Sequence, residues 1–268
     1  MGVLADAVDA SPLVFEDVAL AIAADEYPGL RRERYHRLLD ELAAPATESV
    51  AAATTPAARL TALCDHLYGQ RGYCGNEDYD DPRNNYLNEV IERRRGSPVT
   101  MAVLLIAVAR RAELPIEPVA FPGHFLVRTA SAEPIYVDPF DGGHPLPREE
   151  LEQLACETLD GDRQAAARRL EPVGARTVAV RILLNLQRCY RTRQDHGRLL
   201  VVCDRLFDMT GAPFHQCDRG IHALALGATQ AAIHDLEAYL LAHPDAPDAA
   251  EVRAVLDKAR RLDSVAPS

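Results

Sequence analysis

Apolar residues in the first part of the chain recur at the spacing of amphipathic helices. The pattern predicts helices within residues 12–44, with a Pro-Gly break, within residues 48–70 after a Thr-Pro step, and over residues 86–95. The intervening stretch 72–85, GYCGNEDYDDPRNN, shows no apolar period. Such a long polar stretch is expected to be a loop that is kept in order by packing or by function.

The middle of the chain predicts one buried helix followed by three strands. Ser97 is expected to cap this helix, with Pro98 at its first position, and the apolar run 99–108 makes the helix largely buried. Strands are predicted at residues 116–121, 124–129 and 135–138, before a turn at 141–143. This order of a helix and then a small antiparallel sheet favours an α+β core.

After residue 171 the pattern becomes entirely helical and contains a repeat. The second copy has the small and large residues of a tetratricopeptide pattern at Gly220, Gly227, Ala232, Leu236 and Pro244. The first copy fits less well, with packing positions at Leu186, Tyr190, Leu199 and Leu206. Two helix pairs cannot form a solenoid alone, so we expect them to close against the first domain or to present a short concave face to a partner.

These changes of pattern predict three parts of the chain. Residues 1–90 are expected to be the N-terminal helical part of the core, and residues 91–160 the core with its helix and antiparallel strands. Residues 172–268 are expected to form the helical domain, and the linker is predicted within residues 160–175.

Charge and composition narrow the classes of partner. The net charge of −11 at pH 7 disfavours nucleic acid, because no electrostatic attraction would draw in phosphate. No apolar run reaches the roughly 18 residues of a membrane span. The six cysteines form no C-x-x-C pair and the first residues lack a secretory pattern, so we expect a reducing, cytoplasmic location. Because no phosphate loop, dinucleotide fingerprint or zinc motif occurs, we predict no cofactor and no metal.

One histidine and one aspartate are distinctive among the predicted strands. His124 follows a Pro-Gly turn, and Asp138 ends the apolar run 134–137. If the hairpin turns near Ser131, the numbers of paired residues sum to about 262, which sets the two side chains opposite each other. An imidazole held by a carboxylate is the orienting half of a nucleophilic triad. We therefore predict that His124 and Asp138 form a dyad at the functional site.

The motifs around these residues resemble those of the bacterial SirB family. The shared motifs are Gly75-Asn76, Asp81-Pro82-Arg83-Asn84, Tyr86-Leu87, Arg94, Gly96, Pro98, the segments 121–125 and 138–143, Asn185-Leu186, Asp218-Arg219-Gly220 and the segment 235–239. The resemblance covers nearly the whole chain. It implies a transglutaminase-like (papain-like) α+β core with a small antiparallel sheet, followed by an all-α tetratricopeptide-like domain.

In catalytic transglutaminase-like proteins a cysteine opens the long helix, where the helix N-terminus lowers the pKa of the thiol. Counting back from Leu114-Pro115, that position is Pro98, which offers neither a nucleophile nor a donor. Ser97 and Cys74 are the candidate replacements. The Ser97 hydroxyl is expected to be engaged in capping the helix, and a lone cysteine is more often a small buried hydrophobe.

Ligand-binding residues are predicted in the same motifs. Asn84 and Asn85 are candidate amide donors to a ligand, and the competing interpretation is that they form only local turn bonds. Arg94, Pro98 and Phe125 belong to the motifs of the resemblance and are predicted to bind the ligand as well.

The site supports two main functions. We favour a catalytically degenerate transglutaminase-like protein that binds a peptide or protein partner, because the covalent acyl-enzyme step has no thiolate carrier. The alternative is a hydrolase or acyltransferase acting on a peptide, amide or thioester, in which His124 acts directly on water or on an amine. A scaffold whose cleft is unused is a third interpretation. The sequence leaves the oligomeric state open.

Overall fold

A computed structural model describes residues 3–158 and 163–265 of the chain. The chain divides into two compact units, Met1–Ile182 and Leu183–Ser268. The first unit contains helices and two small sheets, and the described residues of the second unit are helical with short connections. This order confirms the predicted α+β core followed by an all-helical part.

The elements of the first unit are short strands and helices of varied length. Its helices are α1 (Val3–Val8), α2 (Phe15–Glu26), α3 (Arg32–Ala52), α4 (Pro56–Cys64), α5 (Leu87–Arg93), α6 (Pro98–Arg111), α7 (Arg148–Thr158), α8 (Arg163–Arg168) and α9 (Ala175–Thr192), in which the division between the units falls. Its strands are β1 (Cys74–Gly75), β2 (Arg95–Gly96), β3 (Ile116–Val119), β4 (Leu126–Thr129), β5 (Tyr136–Val137) and β6 (Pro145–Leu146).

Helix α6 forms the centre of the core of the first unit. It begins at Pro98. The backbone N–H that proline lacks would have no partner within the helix at this first position. All of its residues from Val99 to Ala109 are buried. A helix that is apolar on every side needs neighbours all around it, and α6 packs against α2, α3, α5, β3 and β4. The position of α6 therefore sets where the surrounding elements lie.

The larger sheet has the strand order β3-β4-β5-β6, with antiparallel neighbours throughout. Three of these strands lie within the predicted ones, although β4 begins at Leu126 and not at His124. The fourth, β6, was not predicted. It is only two residues long, which is too short to produce a recognisable apolar alternation.

The predicted register of the β4–β5 hairpin was wrong, because the numbers of its paired residues sum to two more than predicted. Arg128 pairs with Tyr136, and the Thr129 N–H donates to the carbonyl of Ile135 at 3.0 Å. The turn is centred one residue later than predicted, and the Ser131 hydroxyl bonds inside it, to the Glu133 carbonyl at 2.9 Å. Consequently His124 and Asp138 are not directly opposite each other in the ladder.

In the second unit, four helices follow α9 within the described residues. They are α10 (His196–Thr210), α11 (Pro213–Ala225), α12 (Thr229–Ala242) and α13 (Ala249–Val265). Helix α11 packs against both α10 and α12, and α12 packs against α13. Arg219 on α11 links three of them, because its guanidinium donates to Asp204 on α10 and to Asp235 on α12.

The boundaries predicted at residues 90, 160 and 172 stay predictions. The linker predicted within residues 160–175 begins in the segment 159–162, which lies outside the described residues. The described remainder of that range contains α8 and the first residue of α9.

Two features are absent from the described part of the chain. Among residues 3–158 and 163–265, no helix combines the length and the apolar character that crossing a membrane requires. In the same residues, no three His, Cys, Asp or Glu side chains converge in a way that could hold a metal ion.

Close packing of α11 on α12 predicts that a methyl group at Gly220 destabilises the second unit. A Cβ at this position would lie 3.0 Å from Asp235 Cβ and 3.1 Å from Leu236 Cγ. We expect Gly220→Ala to lower the unfolding free energy by about 1–3 kcal/mol, since overpacking outweighs the gain in helix propensity. Urea unfolding measures the change. The control is Gly197→Ala on the exposed side of α10, where we expect no loss; an equally stable Gly220→Ala variant would contradict the packing.

Buried histidines predict that acid destabilises the second unit. His222 Nδ1 lies 3.2 Å from His196 Nδ1, and burial lowers the pKa of His222. Because the pKa of His222 is lower in the folded chain, the unfolded chain binds more protons in acid. The contribution of His222 to the free energy of unfolding is therefore fully present above the ordinary histidine pKa of about 6.5, and it is lost as the pH falls through the lowered pKa. Hydrogen exchange of α11 amides between pH 7 and pH 5 should report this loss. We expect His222→Gln to reduce it and His234→Gln, at an exposed position, to leave it unchanged.

Candidate functional site

The structure brings His124 and Asp138 into direct contact. His124 Nδ1 lies 2.7 Å from Asp138 Oδ2. Because a carboxylate only accepts hydrogen bonds, Nδ1 carries the proton of this bond, and in the neutral imidazole Nε2 is then the acceptor. The histidine side chain is half exposed, whereas the aspartate is buried. Nε2 is therefore the atom that can accept a hydrogen bond from a ligand.

The turns at the ends of β4 and β5 position these two residues. His124 precedes β4, and its backbone N–H donates to the Phe121 carbonyl at 3.2 Å. Asp138 follows β5 directly, and its Oδ1 accepts the N–H of Phe140 at 2.9 Å. Both oxygens of the buried carboxylate are thus bonded, and the contact with His124 forms although the predicted register is wrong.

Hydrogen bonds surround the start of α6, where the nucleophile candidate Ser97 lies. Ser97 is buried, and its backbone N–H donates to the Asn84 carbonyl (2.9 Å) and to Thr100 Oγ1 (3.0 Å). Its hydroxyl lies 3.1 Å from Thr100 Oγ1. The Thr100 hydroxyl in turn donates to the Asn84 carbonyl at 2.6 Å. Ser97 and Thr100 therefore attach the polar loop to the helix start.

The two predicted amide donors lie inside this polar loop. Asn84 is buried, with Nδ2 donating to the Asp78 carbonyl at 2.7 Å and Oδ1 accepting from Asn76 Nδ2 at 2.9 Å. Asn85 is buried as well. These bonds agree with the competing interpretation, in which Asn84 bonds only to its own loop. They keep the loop in one conformation.

A buried carboxylate attaches the same loop to α5. Asp81 accepts hydrogen bonds from the Arg83 backbone N–H and guanidinium, and from Arg93 Nη2 at 2.9 Å. Burial alone would raise the pKa of Asp81, but the bonds from Arg83 and the charge of Arg93 outweigh it and lower the pKa. The loop is therefore held by packing and charge.

Cys74, the other nucleophile candidate, lies on the strand that packs against the Asp138 turn. It is half buried, and β1 pairs in parallel with β2 through Cys74–Arg95 and Gly75–Gly96. A Cβ on Gly75 would lie 2.5 Å from ring atoms of Phe140, the residue that bonds Asp138 through its backbone N–H. The position next to Cys74 must therefore be glycine for β1 to approach the turn.

The remaining predicted binding residues occupy three different environments. Arg94 is exposed in a left-handed conformation (φ 59°), and its Nη1 donates to the Arg71 carbonyl at 3.0 Å. Pro98 is half buried at the start of α6. Phe125 is only 1% exposed, and the Arg181 guanidinium lies 5.8 Å from its ring centre. The Phe125 ring is therefore a core residue in this conformation, and its predicted contact with a ligand stays a prediction.

Two residues that support the Asp138 turn, Cys64 and Tyr68, were not predicted from the sequence. Gly143 has φ +71°, and a Cβ there would lie 2.6 Å from both Cys64 Sγ and Tyr68 Cε2. The Gly143 N–H donates to the Asp138 carbonyl at 2.8 Å. The double glycine was a visible turn signal, but nothing local to Cys64 or Tyr68 indicates their contact with it.

An imidazole–carboxylate pair at the end of a small antiparallel sheet, whose following turn packs on a buried helix, is the arrangement of a transglutaminase-like core. The sequence model of the transglutaminase-like superfamily matches residues 33–184. The sequence model of the tetratricopeptide repeat matches residues 186–257. Both parts of the predicted fold class are confirmed.

Known relatives narrow the class further. A UPF0162 protein of Xylella fastidiosa is 40% identical over 252 residues, which cover 92% of this chain and 90% of the relative. A UPF0162 protein of Haemophilus influenzae is 30% identical over 198 residues, 72% of this chain and 73% of the relative. Human F-box only protein 21 is 37% identical over 118 residues, 40% of this chain and 18% of that protein. The chain belongs to the transglutaminase-like superfamily and, within it, to the UPF0162 family.

Contact between Gly75 and Phe140 predicts a coupling between the two positions. Gly75→Ala should lower the unfolding free energy by about 1–3 kcal/mol, because the methyl group overlaps the Phe140 ring. Combined with Phe140→Ala, which removes that ring, the same change should cost less than it does alone. Urea unfolding of the four proteins measures the coupling. Gly69→Ala, with open space around the added methyl group, is the matched control, and additive effects of Gly75→Ala and Phe140→Ala would contradict the contact.

Proposed function

We propose that this protein is a catalytically degenerate transglutaminase-like protein whose cleft binds a peptide or protein segment at His124 and Asp138. One observation carries the proposal. The imidazole and carboxylate are paired at 2.7 Å, while Pro98 occupies the helix start at which catalytic members of the class carry a cysteine. The pair is present without the thiolate that it would activate.

Other candidate nucleophiles fit the catalytic role poorly. Burial, and then the charge of Asp65, raise the pKa of the Cys64 thiol to about 12, so it stays protonated at neutral pH. Cys74 lies on a strand and lacks the helix dipole that favours a thiolate. Ser97 is buried, and its hydroxyl is close to Thr100. A covalent acyl-enzyme step therefore has no suitable carrier among these residues.

A held imidazole remains useful for binding. His124 Nε2 accepts a hydrogen bond from a peptide N–H without any covalent step. Beside the Asp138 turn, the Phe140 ring stacks on Tyr79 with 5.8 Å between ring centres, and Tyr79 is 49% exposed. An aromatic face on the turn that holds Asp138, together with the imidazole acceptor, suits an extended peptide that carries apolar side chains.

Several further points support a protein partner. Tetratricopeptide-like helices commonly present binding surfaces, and this chain matches that repeat over residues 186–257. We also propose that the protein belongs to the SirB family, that it is cytoplasmic and that it has no nucleic-acid partner. The segment shared with human F-box only protein 21 covers only 18% of that protein, which is consistent with a portable module.

The proposal predicts that the native protein does not react covalently with an acyl donor. After incubation with an electrophilic acyl-donor probe, intact-mass measurement should find no stoichiometric labelling, because Cys74 lies on a strand without a helix dipole and Ser97 is buried against Thr100. Stoichiometric labelling that disappears in Cys74→Ala or Ser97→Ala would overturn the proposal in favour of the hydrolase or acyltransferase.

A positive control for this experiment is Pro98→Cys, which installs a thiol at the N-terminus of α6. If the His124 imidazole faces the helix start, as the proposal requires, the imidazole and the helix dipole should make this thiol reactive. We expect labelling at position 98, mapped by peptide mass spectrometry, and at least about tenfold slower labelling when His124→Ala is added. Labelling that does not depend on His124 would show that the pair does not face the helix start.

The binding function is tested by selection from a random peptide display library followed by titration of the recovered peptide. We expect His124→Ala to weaken binding by about tenfold, the effect of losing one hydrogen bond of about 1.4 kcal/mol. The matched control is His144→Ala, a histidine of the next turn. If His124→Ala alters stability but no selected peptide, the scaffold interpretation replaces this one, and if the wild-type protein converts the peptide, the enzymatic alternative does.

A further inference from the structure

Tyr68 has an unusual position near the candidate site. It lies in a π-helical turn, Asp65–Gln70, that continues directly from α4. Such turns are rare and occur frequently at functional sites. Its hydroxyl oxygen is buried and has no hydrogen-bond partner among the described residues.

The hydroxyl end of the Tyr68 ring faces the turn that carries Asp138. A Cβ on Gly143 would lie 2.6 Å from Tyr68 Cε2, the ring carbon next to the one that bears the hydroxyl. Gly143 is bonded to the Asp138 carbonyl through its own N–H at 2.8 Å. Burial, and then the nearby Cys64 and Asp138, raise the pKa of Tyr68 well above its usual range. The hydroxyl therefore keeps its proton and is a donor at neutral pH.

Asp138 needs a donor in every state of the site. It is 6% exposed, and its Oδ2 is bonded to His124, a side chain that is itself half exposed. A ligand that bonds to the imidazole and shifts it would leave Oδ2 buried without its donor, which is unfavourable. An ionised carboxylate has about four acceptor sites, so it can take a further donor from another direction.

From this geometry we infer that Tyr68 is a positioning residue of the site, whose hydroxyl is the reserve donor that bonds Asp138 when His124 moves away to a ligand. The inference deepens the proposed function, on which it rests for the role of His124. It explains why an unpaired hydroxyl is kept on a ring that packs against the turn of a buried carboxylate. Tyr68 thereby holds Asp138 in place through ligand binding.

The test is a double-mutant cycle by urea unfolding, with no ligand. In His124→Ala, Asp138 loses its donor, and Tyr68 should replace it. We therefore expect His124→Ala to raise the unfolding equilibrium constant by at least about fivefold more in a Tyr68→Phe background than in the wild-type background. Tyr68→Phe alone should be neutral or stabilising, because it removes an unpaired buried hydroxyl.

The matched control is Tyr73→Phe. Tyr73 is a second buried tyrosine of the same unit, with its hydroxyl already bonded to the Ile91 carbonyl at 3.1 Å. Tyr73→Phe should be destabilising alone and additive with His124→Ala. Additive effects of Tyr68→Phe and His124→Ala would overturn the inference, as would a Tyr68→Phe variant destabilised as much as Tyr73→Phe, since the hydroxyl would then have a constant partner. Because the cycle uses no ligand, its outcome is separate from the peptide-binding result.

Discussion

The buried carboxylate of Asp138 is the constraint on which the candidate site depends. A charge with so little exposure requires donors on both oxygens, because an unpaired buried charge is strongly unfavourable. One donor is the His124 imidazole before β4, and the other is the Phe140 N–H after β5. These donors are in place only when the hairpin and the following turn are both correctly formed. The His124 imidazole is therefore correctly oriented only when the local fold is correctly formed.

The residues at the start of α6 stabilise the helix and the polar loop. Pro98 begins the helix without wasting a donor, and Thr100 bonds the Asn84 carbonyl, so the helix start holds the polar loop. A cysteine at this position would have the pKa of its thiol lowered by the helix dipole, whereas proline contributes only a backbone angle that favours the helix. The pairing of His124 with Asp138, together with a helix start that carries proline and no thiol, is the physical basis for proposing binding without covalent catalysis.

In the helical unit, a small residue and one guanidinium act together. Gly220 lets α11 approach α12 closely, and the neighbouring Arg219 bonds carboxylates on the helices before and after its own. The glycine at the close approach and the arginine beside it are both visible in the sequence, which is why the repeat can be recognised there.

The sequence by itself determined the order of the elements, the buried helix α6 and the candidate pair, because periodicity, caps and turn residues are local properties of the chain. Tertiary structure decided the rest. The hairpin turns one residue later than its local sequence predicted, which shifts the register, and the strands β1, β2 and β6 are too short to show alternation. The contact of Tyr68 with the Asp138 turn joins residues far apart in the chain, and only the packing of the core brings such residues together.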